Sequence, residues 1–160
     1  MVVPLDFREL FRRAAFAAND LARCSAQLKE MREKISSPSG IAYDSIHIKN
    51  GSLQDRTAVI DAMIEKETAL RERKARECEV LLDAAWEAVG VVSADLSDAS
   101  AQVLSEHYLF GYTWQQVADS LGFTSRTTPK ERAWAALDWL DSYCYITEDA
   151  DGPHVHVIKD

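Results

Sequence analysis

Thr113-Trp114-Gln115-Gln116-Val117-Ala118-Asp119-Ser120-Leu121-Gly122-Phe123 is the stretch on which the fold turns. Thr113 at an N-cap with Gln116 three residues on is a capping box, so a helix opens at Trp114. Trp114, Val117, Ala118 and Leu121 fall on one face of it. Ala118 is small and lets a second helix cross closely. Gly122 accepts the backbone geometry of a sharp turn, and Phe123 plugs the corner. Together these residues predict a helix-turn-helix.

The second helix of that unit has two possible starts in Thr124-Ser125-Arg126-Thr127-Thr128-Pro129-Lys130-Glu131-Arg132. A start at Thr124 or Ser125 puts Pro129 inside the helix, where it removes a hydrogen bond. A start at Thr128 is physically cleaner: Thr128 as N-cap, Pro129 as first residue and Glu131 closing a capping box. On either reading Arg126, Thr127, Thr128, Lys130 and Arg132 gather near the helix start. Arg126, Lys130 and Arg132 are the only Lys or Arg residues between positions 77 and 158. Arg and Lys suit phosphates or guanine edges, and the threonines suit a phosphate or a thymine methyl, so these five are the candidate contacts to double-stranded DNA.

Working outward, Leu10, Ala14, Ala17, Leu21, Cys24, Leu28, Met31 and Ile35 recur at 4,3,4,3 spacing. That is a heptad seam, and it predicts a helix over about 5–35 that pairs with another. Ser36-Ser37-Pro38-Ser39-Gly40 ends it. Ile41 to Ile48 alternates loosely, as a strand or an ordered loop, and Asn50-Gly51 signals a turn. A second long helix is expected over about 52–89, capped by Ser52, with Leu53, Thr57, Ile60 and Ile64 on one stripe that resumes at Cys78, Leu81 and Ala85. Its middle, Glu65 to Glu79, is nearly all charged, so it is either solvated or paired ion by ion across a partner. The two helices imply an antiparallel hairpin, through which the chain is expected to form a homo-oligomer.

Gly90 to Asp98 reads as a breaker, followed by a helix capped by Ser97 or Asp98 and carrying Val103, Leu104, Tyr108 and Leu109. A last helix is expected to about Ser142. Tyr143–Thr147 and His154–Ile158 then alternate around Glu148-Asp149-Ala150-Asp151-Gly152-Pro153, a β-hairpin pattern. The expected fold is therefore mainly all-α: a helical hairpin over 1–90 with its loop at 36–51, then a helix-turn-helix domain over 91–160 ending in a small β-hairpin.

Tyr108 to Phe123 resembles the C-terminal part of phage-encoded transcriptional regulators of the RinA/ArpU type, which in turn resemble the promoter-reading domain of bacterial sigma factors. Ala135-Ala136-Leu137-Asp138-Trp139-Leu140 is similar to the end of their last helix. The resemblance covers about residues 20–141. It is specific in the last third and architectural before it. It implies a promoter-binding regulator of phage or prophage origin, with RNA polymerase as a possible partner. The chain departs from the pattern after Phe123, where the family has a polar cap followed directly by basic residues.

Charge complicates that expectation. The chain carries a net −8; residues 1–90 have 14 basic and 15 acidic side chains, residues 91–160 only 4 and 11. Phosphate contacts supply most DNA affinity, so three cations per subunit call for a dimer or a polymerase partner. Two other readings stay open: a phage DNA-packaging recognition subunit, and a protein-interaction module whose helix-turn-helix has lost DNA.

Further classes are disfavoured. No apolar run reaches the roughly 20 residues of a membrane span, and Met1–Arg13 lacks a signal peptide's apolar stretch, so a cytoplasmic protein without a membrane partner is expected. Cys24, Cys78 and Cys144 are scattered and odd in number, which argues against a disulfide framework or zinc site. His154 and His156 on one strand face make at most half a metal site. With no phosphate loop and no nucleophile elbow, neither a cofactor nor an enzyme is expected.

Overall fold

The computed structural model describes residues 5–36 and 53–158. It is mainly α: α1 (Phe7–Ser36), α2 (Leu53–Asp95), α3 (Asp98–Leu104), a π-helical turn (Ser105–Leu109), α4 (Trp114–Leu121) and α5 (Thr127–Tyr143), closed by the antiparallel strands β1 (Cys144–Asp149) and β2 (Gly152–Val157). The proposed cap at Ser52, the breaker at Pro38 and the segment Ile41–Gly51 lie outside the described residues.

Contacts group the chain into two units, 19–76 and 1–18 with 77–160. The border crosses both long helices, whereas the sequence reading divides the chain at residue 90. In the first unit α1 and α2 run antiparallel. Cys24, Leu28 and Ile60 are buried, with Leu21, Met31 and Ile64 half-buried beside them. The charged middle of α2 is mostly exposed and reaches α1 at Arg71 and Lys74. Lys74 Nζ pairs with Asp20 at 2.8 Å, and Arg71 donates to Ser25 Oγ at 3.0 Å. Lys74 and then Arg23 hold the Asp20 carboxyl below its ordinary range. Of the two alternatives for this stretch, ion pairing across a partner helix is what occurs at Lys74.

The second unit holds the larger core. α1 contributes Phe7, Leu10, Phe11 and Ala14; α2 contributes Ala84, Ala85, Ala88, Val89 and Val92; α3 adds Val103 and Leu104, α4 Val117, and α5 Ala133, Ala136, Leu137 and Leu140. The alanines on α2 allow close approach of the elements around it. The expected breaker at Gly90 is corrected: α2 continues to Asp95. Gly90 is exposed while Val89 and Val92 are buried. A helical glycine costs about 1 kcal/mol, less than burial of the two valines returns at about 1.5 kcal/mol or more each. The real break is Leu96–Ser97. There Ser97 caps α3 by accepting from the Ser100 N–H.

The β-hairpin is longer than the alternation suggested. Its strands extend to the pair Asp149↔Gly152 and leave only Ala150–Asp151 in the turn. Asp149 Oδ1 accepts from the Asp151 N–H and closes that turn, with Gly152 at φ +118°. Cys144, Pro153 and Val155 are buried on one face, and Cys144 and Val155 join the core. That face covers the core, while Tyr145, Thr147, Asp149 and His154 stand outside. The three cysteines are buried and free.

Candidate nucleic-acid interface

The capping box forms as the sequence dictates. Thr113 Oγ1 accepts from the Gln116 N–H at 3.2 Å, and Gln116 Oε1 accepts from the Thr113 N–H at 2.9 Å. At the other end of α4, Gly122 is left-handed (φ +75°), a conformation that suits glycine alone at no steric cost, and the Phe123 N–H returns to the Ala118 carbonyl at 2.8 Å.

The start of α5 corrects the favoured reading. The helix begins at Thr127, with Arg126 as N-cap in helical geometry and without a side-chain cap. Ser125 Oγ instead accepts from the Thr127 N–H at 3.2 Å. The Thr128–Glu131 capping box is therefore not made. Pro129 is the third helical residue, where its missing N–H would have had no partner anyway, and its ring is fully buried. Burial of the ring, which local capping arithmetic does not see, selects this start.

The five predicted contact residues then divide. Arg126, Thr127 and Lys130 line one recess of about 460 Å³ together with Thr113, Trp114 and Gln115 from the start of α4. Thr128 and Arg132 are not part of it, although both are exposed. Arg132 lies over the Phe123 ring, its guanidinium carbon 5.4 Å from the centroid. Lys130 Nζ lies 4.8 Å from the Trp134 centroid, and Arg8 of α1 approaches the same ring at 6.0 Å. Such stacking steadies a long cation without removing its charge. No carboxylate lines the recess, and Arg126, Lys130 and Arg132 take part in none of the ion pairs formed among the described residues. The recess can hold an anion with two cations and two hydroxyls, while the Gln115 amide already donates to Asp119 Oδ1 at 2.9 Å. Thr113, Trp114 and Gln115 were not singled out as contacts. The capping box was the available signal, because it brings the first turn of α4 to the surface.

Behind the recess, the π-helical turn supports α4. Glu106 is buried, and its Oε1 accepts from Ser120 Oγ at 2.7 Å. The His107 ring stacks on Trp114 with centroids 3.6 Å apart, and its Nδ1–H donates to the Tyr112 carbonyl at 2.7 Å. A carbonyl only accepts, so this bond selects the Nδ1–H tautomer of the neutral ring. Burial lowers the His107 pKa below 6.5, and the bond to Tyr112 offsets that only in part. The unfolded chain therefore takes up a proton that the folded chain resists, and stability is lost as pH falls through about 6.5. The melting temperature is expected to drop between pH 7.5 and 5.5, with a shallower drop in His107→Asn. Identical slopes for the two proteins would remove His107 as the cause.

The histidines of the hairpin are otherwise engaged. His154 Nε2 is 3.1 Å from Asp149, and His156 Nε2 is 2.8 Å from Thr147 Oγ1. Among the described residues no three His, Cys, Asp or Glu side chains are grouped to hold a metal ion. None of the described helices is long and apolar enough to cross a membrane.

Fold and site define a mainly helical chain with two helices meeting at a cationic recess and a C-terminal β-hairpin. Compared with protein families, with curated proteins and with solved structures, the chain matches none.

Proposed function

We infer that this chain is a DNA-binding transcriptional regulator acting at promoters through the α4–α5 unit. The observation that carries the reading is the recess in which Arg126, Thr127 and Lys130 converge with Thr113 and Gln115, free of carboxylates within an acidic half of the chain. A duplex phosphate lodged there would meet the helix start of α5 and two cations at once. The likeness of Tyr108–Phe123 to RinA/ArpU-type regulators supports the same reading. With it come a phage or prophage origin, a cytoplasmic setting, RNA polymerase as partner and self-association through the helical hairpin. The role is binding rather than catalysis. A packaging recognition subunit would instead form a multimeric ring visible by light scattering.

The test is fluorescence anisotropy with duplex DNA from the chain's own genomic neighbourhood, at two salt concentrations. Arg126→Ala/Lys130→Ala/Arg132→Ala is measured in parallel. Each neutralised phosphate contributes about 0.9 to the log–log salt slope, so the triple variant should lose up to about 2.7 of slope along with most of its affinity. No binding by the folded wild-type chain at low salt would rule out direct DNA contact.

A further inference from the structure

A second surface, built on α2 and the corner before α4, uses none of the residues that line the recess. Glu79, Asp83, Trp86, Gly90 and Ser93 follow a 4,3,4,3 spacing, which places them on one helix face, and all five are exposed. At the corner between the π-helical turn and α4, Phe110 meets the Trp86 ring edge to face with centroids 5.8 Å apart. Tyr112 lies 6.3 Å beyond it. Trp86, Phe110 and Tyr112 are 43%, 60% and 43% exposed. Three touching rings left this open form a contiguous apolar patch, not a scatter of single surface hydrophobes. One turn from Trp86, an added Cβ at Gly90 would meet nothing within 4 Å, so bare backbone is open to close approach.

The segment that carries the rings, which begins just after Arg76, has charge of one sign. Residues 77–125 carry eight Asp or Glu and no Lys or Arg. Glu79, Asp83 and Glu87 are exposed and take part in none of the ion pairs formed among the described residues. Nucleic acid is the wrong ligand for such a face, since phosphates would meet carboxylates. A ligand that is apolar on one side and cationic on the other fits both features.

We propose that the Trp86–Phe110–Tyr112 face docks a basic amphipathic helix of a partner protein. Its apolar side chains sit on the three rings, and its Lys or Arg residues lie over Glu79, Asp83 and Glu87. Trp and Tyr in the centre of such a contact carry most of its affinity, while the rim carboxylates set approach rate and salt dependence. The surface uses none of the recess residues, so it stands whether or not the chain binds DNA.

The probe is a fluorescein-labelled designed peptide of roughly 18 residues, five helical turns, with Leu on one face and Lys on the other. Anisotropy should report saturable binding to the full chain. The variant Trp86→Ala/Phe110→Ala should bind about tenfold more weakly or worse, with far-ultraviolet circular dichroism unchanged because neither ring belongs to the core. Trp86→Phe should retain most of the affinity. Asp83→Asn/Glu87→Gln should flatten the salt dependence, and a peptide with Glu in place of Lys should not bind. Arg126→Ala/Lys130→Ala should leave peptide binding as it was, which separates this proposal from the DNA reading. Equal binding by wild type and the ring-deleted variant would overturn the proposal as unspecific charge attraction. Absence of binding would overturn it too. Self-association of the chain that Trp86→Ala abolishes would assign the face to a second copy instead.

Discussion

Phe11→Ala is expected to destabilise the unit formed by residues 1–18 and 77–160 by about 3–5 kcal/mol, the usual loss when a fully buried aromatic is truncated. Phe11 belongs to α1, at the opposite end of the sequence from α4 and α5. Yet it is wholly buried, its ring is 5.5 Å from Tyr108, and it shares one core with Val92, Leu104 and Leu137. A domain of this size has about 5–15 kcal/mol in total, so one such change removes a large share of its stability. Urea unfolding followed by near-ultraviolet circular dichroism would measure the loss. The same packing means that a fragment of residues 91–160 should not fold alone. Without α1 and α2 it leaves Val103, Leu104, Leu137 and Leu140 uncovered. A cooperative melt from that fragment would contradict the shared core.

Gly152→Ala should cost about 3 kcal/mol or more. Two strains add at this position. Gly152 sits at φ +118°, a region open to glycine and costly for a residue with a Cβ. The added methyl would also fall within van der Waals overlap of Val80 Cγ1 on α2. The hairpin lies against α2 at this point, so relief requires either the strand or the helix to move. Thermal melts of Gly152→Ala in the wild-type and Val80→Ala backgrounds separate the two strains. In the second background the overlap is gone and only the backbone strain remains, so the added loss should shrink. An equal loss in both backgrounds would show that Val80 contributes nothing.

Much of the fold was legible because it is local. The heptad spacing of Leu10, Ala14, Cys24 and Leu28 marks the buried side of α1, and these four side chains are buried. The Thr113–Gln116 capping box and Gly122 delimit α4 with no need of tertiary context, since their hydrogen bonds close within a few residues. The alternation around Asp149–Gly152 was enough to place a β-hairpin.

Where sequence reasoning failed, a distant contact outweighed a local preference. Gly90 reads as a breaker, but Val89 and Val92 keep α2 helical by burial against residues far along the chain. Thr128-Pro129-Lys130-Glu131 reads as a capping box, but burial of Pro129 moves the helix start to Thr127. The recess was half visible: Arg126, Thr127 and Lys130 stand together in sequence, whereas Thr113, Trp114 and Gln115 join them only through the packing of α4 on α5.

By itself, then, the sequence determined the helical pattern, the cap of α4, the hairpin and the cationic cluster at the start of α5, because periodicity and capping act over one or two turns. Only the tertiary structure decided that the first turns of α1 complete the core around α4 and α5, and that Trp86, Phe110 and Tyr112 meet on one exposed face. Those arrangements depend on which buried surfaces fit one another across tens of residues, and spacing along the chain does not encode that fit.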